Sequence, residues 1–176
     1  MPDTGGNVTS ENSDIRELLD KQACAEVLTR YCRALDWLDG EALKKVFAAD
    51  AHIDYGFFRG RGDAFIPAVM EIEHSFERRW HFVANAIIQV NSDTAEAESY
   101  GLAAAVSTKE GRTTTHVFGG RYLDRLARRD GQWLITWRQY VLDWQQTIEA
   151  DTPADAVPGL LLSTGFNPAH PLYRKL

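Results

Sequence analysis

Two side chains sit where their chemistry is out of place. Asp36 falls on one row with Leu28 and Cys32, at i, i+4 and i+8 of a helical pattern, so its carboxylate points with the apolar face. It also lies near a helix C-terminus, whose partial negative charge works against an anion. A frayed helix end that leaves Asp36 in water is the competing reading. His81 opens the run Trp80-His81-Phe82-Val83-Ala84-Asn85-Ala86-Ile87-Ile88. At a period of two, His81, Val83, Asn85 and Ile87 share one face, and Trp80, Phe82, Ala84, Ala86 and Ile88 share the other. Both faces are fairly apolar, which directs His81 at something enclosed. Alone, such a histidine reads as a satisfied core residue. A carboxylate partner would orient its ring, stabilise the imidazolium and make the pair a general base.

Other residues are candidates for holding a substrate. Tyr55 shares a strand face with Ile53 and Phe57, and its hydroxyl could hold a substrate oxygen or pair within a core. Arg138 lies between Trp137 and Gln139, with Thr136 and Tyr140 on its own face. It is either a solvent-facing strand residue or a buried cation facing an anion or a polarised oxygen. Tyr31, His116 (on a face with Phe118) and Asn85 (on the face of His81) are weaker candidates. His52 and Asp54 alternate on one strand face, but a third ligand is missing, so no metal is expected. Neither GxSxG, HExxH nor a Cys/His zinc spacing occurs. Gly119-Gly120 predicts a bulge or sharp bend where a sheet curls, not a phosphate loop, since no helix follows.

The elements that would position these groups are legible as patterns. Ser13 can cap a helix with Asp14 and Glu17 in its first turn. Ile15, Leu18, Leu19, Cys24, Val27, Leu28, Tyr31, Cys32 and Leu35 then recur at three- and four-residue steps. Asp39-Gly40 ends that helix, and a short one follows over residues 41–49. Residues 51–58 read as a strand, and Asp63 caps a third helix running to about Phe76. Four long extended segments follow, at 80–90, 94–108, 113–128 and 132–144. They are joined by Asn91-Ser92-Asp93, Lys109-Glu110-Gly111 and Asp130-Gly131. Helices first and a meander of strands after predict an α+β fold. Trp133, Ile135 and Trp137, alternating with the face of Arg138, predict one sheet face on helices and the other on a neighbouring subunit. Residues 1–12 are expected to be a disordered lead, 13–150 one domain, and 151–176 a tail that packs as a lid or a subunit contact.

Composition sets the outer bounds. The chain has 176 residues, 44% hydrophobic and 25% charged, which suits one globular domain. Aromatics reach 11%, as suits a flat apolar ligand or a plain core. A net charge of −6, without basic residues interleaved with aromatics, argues against nucleic acid as a partner. No stretch approaches the length of a membrane span, and Met1 to Ser13 holds no apolar signal region. Cys24 and Cys32 are separated by about 12 Å of helical rise, too far for a disulfide. A reducing cytoplasm and no membrane partner are therefore expected.

The helix IRELLDKQACAEVLTRYCRALD, the run HIDYGFF, the strand WHFVANAII and the hairpin GGRYLDRLARRDGQWLI together resemble the nuclear transport factor 2-like superfamily. Over roughly residues 14–145 the likeness is to its SnoaL-like branch, which includes scytalone dehydratase, hexachlorocyclohexane dehydrochlorinase and bile-acid 7α-dehydratase. The resemblance implies a cone-shaped α+β barrel, its N-terminal helices packed in a curved mixed or antiparallel sheet. It places the branch's paired Asp and His on Asp36 and His81, with the His removing a proton beside the leaving group. It places substrate-holding positions on Tyr55, Arg138 and Tyr31. Departures are equally clear: Leu35, Ala105 and Tyr122 stand where scytalone dehydratase has Tyr, His and Asn, and the bile-acid enzyme's last-strand Arg falls near Leu142.

The expected function is a lyase of the dehydratase or dehydrohalogenase kind, needing no cofactor. It would act on a small hydrophobic or aromatic substrate, in a homo-oligomer (dimer or trimer). An isomerase of the ketosteroid type or a polyketide cyclase would use the same base and give a product of unchanged mass. A non-catalytic binding or scaffold module is the alternative from another class. It would be favoured by a pocket filled with side chains, or by Asp36 and His81 lying more than one water apart.

Overall fold

The computed structural model describes residues 5–150 and 159–176, with side chains from residue 12 onward. Helix α1 spans Gly5–Asp36 and α2 spans Gly40–Leu43. Strands β1 (Phe47–Asp54) and β2 (Arg59–Arg61) precede α3 (Gly62–His74). The long strands β3 (Arg78–Asn91), β4 (Thr94–Lys109), β5 (Arg112–Arg129) and β6 (Gln132–Ala150) complete the order. They form one mixed sheet, β2-β1-β6-β5-β4-β3, in which β1 runs parallel to β6 and every other pair is antiparallel. This is the expected α+β arrangement, with helices against a sheet of long strands.

Local chemistry explains the meander. Glu110-Gly111 has φ of +52° and +78°, and Asp130-Gly131 has +51° and +78°. Positive φ at both central residues matches the turn to the right-handed twist of the strands it joins. The core lies between the inner sheet face and the helices. It takes Cys24, Val27, Leu28, Tyr31 and Leu35 from α1, Phe65, Ile66 and Val69 from α3, and Phe47, Ile53, Leu126, Trp133 and Ile135 from the sheet. Each large apolar side chain so buried contributes about 1.5–3 kcal/mol.

Several boundaries differ from the expectation. Helix α1 begins at Gly5, with no proline between that residue and Ser13; Ser13 therefore lies inside the helix and is not its cap. Residues 1–4 of the expected lead, and 151–158 of the tail, lie outside the described residues. Ile15, Leu18 and Leu19 are exposed, since burial along α1 starts only at Asp20, where Arg128 and Trp133 of the β5–β6 hairpin meet it. The short helix ends at Leu43, so β1 starts earlier than expected. Asp63 sits in the first turn of α3 paired with Arg61, which occupies the cap position.

Three register shifts among the long strands change which residues share a face. One lies between Ala84 and Ile87 of β3, one between Gly119 and Gly120 of β5, and one opposite Arg125 and Leu126, where Thr136 of β6 is the extra residue. The Gly119-Gly120 bend is thus present. A Cβ on Gly120 would stand 2.5 Å from the Val141 carbonyl oxygen and 2.5 Å from the Tyr140 hydroxyl. Backbone cannot yield as a flexible side chain does, so Gly120→Ala is expected to lower stability by about 1–3 kcal/mol. Urea melts of the two proteins check this, and an unchanged midpoint would show that the bend tolerates a side chain.

Candidate active site

Helix α1 stays helical to Asp36, so the frayed-end reading does not hold. The chain turns at once, through Leu38 at φ +51° and Asp39, whose carboxylate accepts the Ala42 N–H at 2.9 Å and caps α2. Asp36 Oδ1 lies 2.8 Å from His81 Nδ1, and Oδ2 accepts the His81 backbone N–H at 3.2 Å. One carboxylate thereby fixes both the ring and the strand that carries it. The His81 side chain is 10% exposed and that of Asp36 is 21% exposed. A carboxylate at Nδ1 favours the tautomer with its proton there, leaving the Nε2 lone pair to act as a base.

Nε2 faces a residue that the sequence reading did not single out. Glu73, in the last turn of α3, is buried, with Oε1 3.6 Å from His81 Nε2. A signal for it existed: Phe65, Val69 and Glu73 form an i, i+4, i+8 row, as Leu28, Cys32 and Asp36 do in α1. Two helices each end an apolar row in a carboxylate, and both carboxylates face the same imidazole. Burial pushes the Glu73 carboxyl above its ordinary range, with His81 and Arg79 opposing and Asp36 adding to the rise. Arg79, two residues before His81 on the same face, has only 4% of its side chain exposed. It donates to the Phe76 carbonyl and stands 3.9 Å from Glu73, while its Nε has no hydrogen-bond partner among the described residues. Burial draws its guanidinium below the ordinary range.

Strand register lays out the surface beside the dyad. His81, Ala103, Phe118 and Gln145 form one cross-strand row, and Arg79, Ala105, His116 and Thr147 the next. His116 thus lies directly opposite Ala105 and bonds Thr147 Oγ1 through Nδ1 at 3.1 Å. It lies one cross-strand row away from His81. Asn85 leaves the face of His81 altogether: at φ +51° it sits in the β3 bulge and is exposed. After the bulge Ile88 and Val90, not Ile87, turn toward the core, which corrects the simple alternation.

Tyr31, Tyr55 and Arg138 come together as a second cluster, already satisfied within the protein. Arg138 is fully buried, and its Nε and Nη2 donate to Asp124 Oδ1 and Oδ2, both at 2.7 Å. Its guanidinium lies 4.4 Å from the ring centroids of Tyr31 and Tyr122. Nη1 donates to the Tyr55 hydroxyl at 3.4 Å, which is 2.7 Å from that of Tyr31. Arg138 is therefore the buried cation of the two readings, and its anion is the protein's own Asp124. Burial pushes the Tyr55 phenol up to about 12, so it stays protonated at neutral pH. Cys32 separates this cluster from the dyad; burial pushes its thiol up to about 12, with Arg138 opposing and Asp36 adding.

Trp133 and Ile135 correct a further expectation. Both are buried on the inner side, because the extra residue Thr136 changes parity and lets Ile135 and Arg138 face inward together. The outer face instead shows Phe82, Leu102, Gly119 and Trp144 in one row, with Phe82 and Trp144 about half exposed and Trp80 stacked on Phe82. The described part of the tail packs beside the dyad. Phe166 stacks on Trp37 at 4.4 Å, Tyr173 donates to Asp39, and Thr164 reaches Glu77 at 3.4 Å. Two surface concavities, one lined by Ser13, Asp20, Asp93 and Arg128 and the other by Leu18, Ala25, Ala86 and Ile88, are remote from Asp36. Among the described residues no three His, Cys, Asp or Glu side chains converge as a metal site, and no helix is long and apolar enough to cross a membrane.

Residues 16–139 match the profile of the SnoaL-like domain. A scytalone dehydratase-like protein from Novosphingobium aromaticivorans has a similar structure, at 25% identity and a TM-score of 0.67 over 78% of this chain and 95% of that one. The dehydrochlorinase LinA superposes with a TM-score of 0.69 at 16% identity, over 77% of this chain and 94% of its own, a likeness of fold. An NTF2-like protein with a cystatin-like fold, also from N. aromaticivorans, gives 0.65 at 24% identity over 81% and 92%. No curated protein sequence matches.

The buried pair makes a prediction about stability. Arg138→Met strands the Asp124 carboxylate without water and is expected to cost about 3–5 kcal/mol. Adding Asp124→Leu should recover a large part of that loss, since the remaining charge goes too. Denaturant melts of the two single variants and the double variant check this; additive losses would show that the pair is not coupled.

Proposed function

Because this chain belongs to the SnoaL-like domain family, we propose that it is a small-molecule lyase in which His81, oriented by Asp36, takes a proton from a carbon next to the leaving group. The observation that carries the reading is the 2.8 Å contact between Asp36 Oδ1 and His81 Nδ1. It is a direct contact, where a binding or scaffold protein needs no such pairing. The carboxylate holds the ring at Nδ1 and stabilises the imidazolium formed when Nε2 accepts the proton. Ala103, Ala105 and Phe118 on neighbouring strands form the apolar surface against which a flat substrate would lie. General-base catalysis of this kind supplies about 10²–10⁴-fold, and positioning supplies the rest.

His81→Ala is expected to abolish turnover in a screen of small β-hydroxy and β-halo carbonyl compounds, while circular dichroism and melting temperature stay near those of the parent. Asp36→Asn should retain the fold and lose at least 100-fold in kcat/KM. Full activity in His81→Ala would end the base assignment.

The outer row Phe82–Leu102–Gly119–Trp144 takes the place that the sequence reading gave to Trp133 and Ile135 as a subunit contact. A second copy of the chain covering this row would remove half-exposed Trp80, Phe82 and Trp144 from water. Light scattering is expected to give a multiple of the 19.8 kDa chain mass, reduced to one chain by Phe82→Glu. A monomeric parent protein would refute the contact.

A further inference from the structure

We propose that Glu73 is the proton donor to a departing hydroxyl, which makes the substrate class of this site β-hydroxy carbonyl compounds and the reaction a dehydration. The inference rests on the assignment of His81 as base and deepens it. A base alone suffices to expel halide, a good leaving group. Hydroxide is a poor one and needs a proton as its bond to carbon breaks.

The geometry places a carboxyl group beside the base. His81 has two ring nitrogens, and Asp36 holds the first at 2.8 Å. The second, which must meet the substrate, has Glu73 Oε1 at 3.6 Å. That separation exceeds a formed hydrogen bond, as does the 3.9 Å to Arg79, so neither neighbour locks the Glu73 carboxyl in place. The other charged groups facing it are Asp36 from α1, and Arg79 and His81 from β3. Burial favours the neutral acid, the form able to give a proton away. Arg79, buried with an Nε that has no hydrogen-bond partner among the described residues, lies beside the same carboxyl and can receive the charge once it ionises.

The proton and electron inventory closes without a co-reactant. His81 Nε2 takes the proton from the carbon next to the carbonyl, and that C–H electron pair becomes the new carbon–carbon double bond. The C–O bond breaks with its pair on oxygen, which takes the Glu73 proton and leaves as water. The site then holds an imidazolium and a carboxylate 3.6 Å apart. Return of the proton from Nε2 to Glu73 restores the starting state. Base and acid stand side by side, so proton and hydroxyl leave from the same face of the substrate.

The test joins a readout on the protein alone to one on turnover. In 13C spectra of the parent protein, the Glu73 carboxyl is expected to titrate above the ordinary glutamate range. Glu73→Gln removes that signal and so assigns it. A Glu73 carboxyl titrating at or below the ordinary range would overturn the proposal, whichever compounds the enzyme accepts. For turnover the probes are 3-hydroxy-1-indanone and 3-chloro-1-indanone. Glu73→Gln is expected to lose at least 100-fold on the hydroxyl compound and less than about threefold on the chloride. Equal losses on both would make Glu73 a support for His81 and overturn the donor role. Unimpaired turnover in His81→Ala would instead refute the base assignment, a different result from either. Melting curves of Glu73→Gln confirm that the fold is intact.

Discussion

A guanidinium shut off from water must find all its partners inside the protein, and Arg138 does so at the centre of this fold. Its carboxylate partner Asp124 comes from the neighbouring strand, and its aromatic neighbours Tyr31, Tyr122 and Phe47 come from α1, β5 and β1. Helix and sheet therefore meet at a fixed distance, since moving either would leave a buried charge short of a partner. The pair in turn depends on one extra residue in β6. Counted from the Asp130-Gly131 turn, regular register sets Asp124 opposite Trp137; the bulge at Thr136 brings Arg138 there instead. The Thr136 hydroxyl donates to the Arg125 carbonyl at 3.2 Å and holds that bulge.

With α1 so anchored, its last residue is delivered to the edge strand β3. Asp36 grips the His81 ring and backbone together, so the imidazole cannot turn without losing a contact to the helix. Helix α3 arrives from the other side and sets Glu73 against the free nitrogen. The polar end around Arg138 and the candidate site around His81 thus share one helix, with Cys32 between them. Tyr55 and Arg138, fully paired with each other, Tyr31 and Asp124, serve the first end.

The sequence was readable wherever a local rule had no competitor. Alternating strands and Asp-Gly chemistry gave the hairpins, and the Leu28–Cys32–Asp36 row gave the inward-facing carboxylate. Bulges broke the alternation, because one inserted residue reverses every face beyond it. Thr136 carries no mark that distinguishes it from an ordinary strand threonine. Asn85 carries a faint one, since asparagine tolerates positive φ better than most residues. Glu73 was missed although its row repeats that of Asp36, because an acid near a helix end reads as solvent-facing until a strand is placed across from it. The partner of Arg138 was hidden for the same reason as the bulge: it depends on register, which is a property of two strands and not of one.

The segment containing Phe166 and Tyr173 follows every helix and strand described here, yet it rests on Trp37 and Asp39, just past the residue that orients the imidazole. In the order of synthesis it comes after all of them. The contact between Asp36 and His81 does not include it, so sheet, helices and that pair can form before this segment docks, and His81 passes through a period with Trp37 uncovered. Any chaperone or small molecule present during translation meets this region more open than the finished protein leaves it.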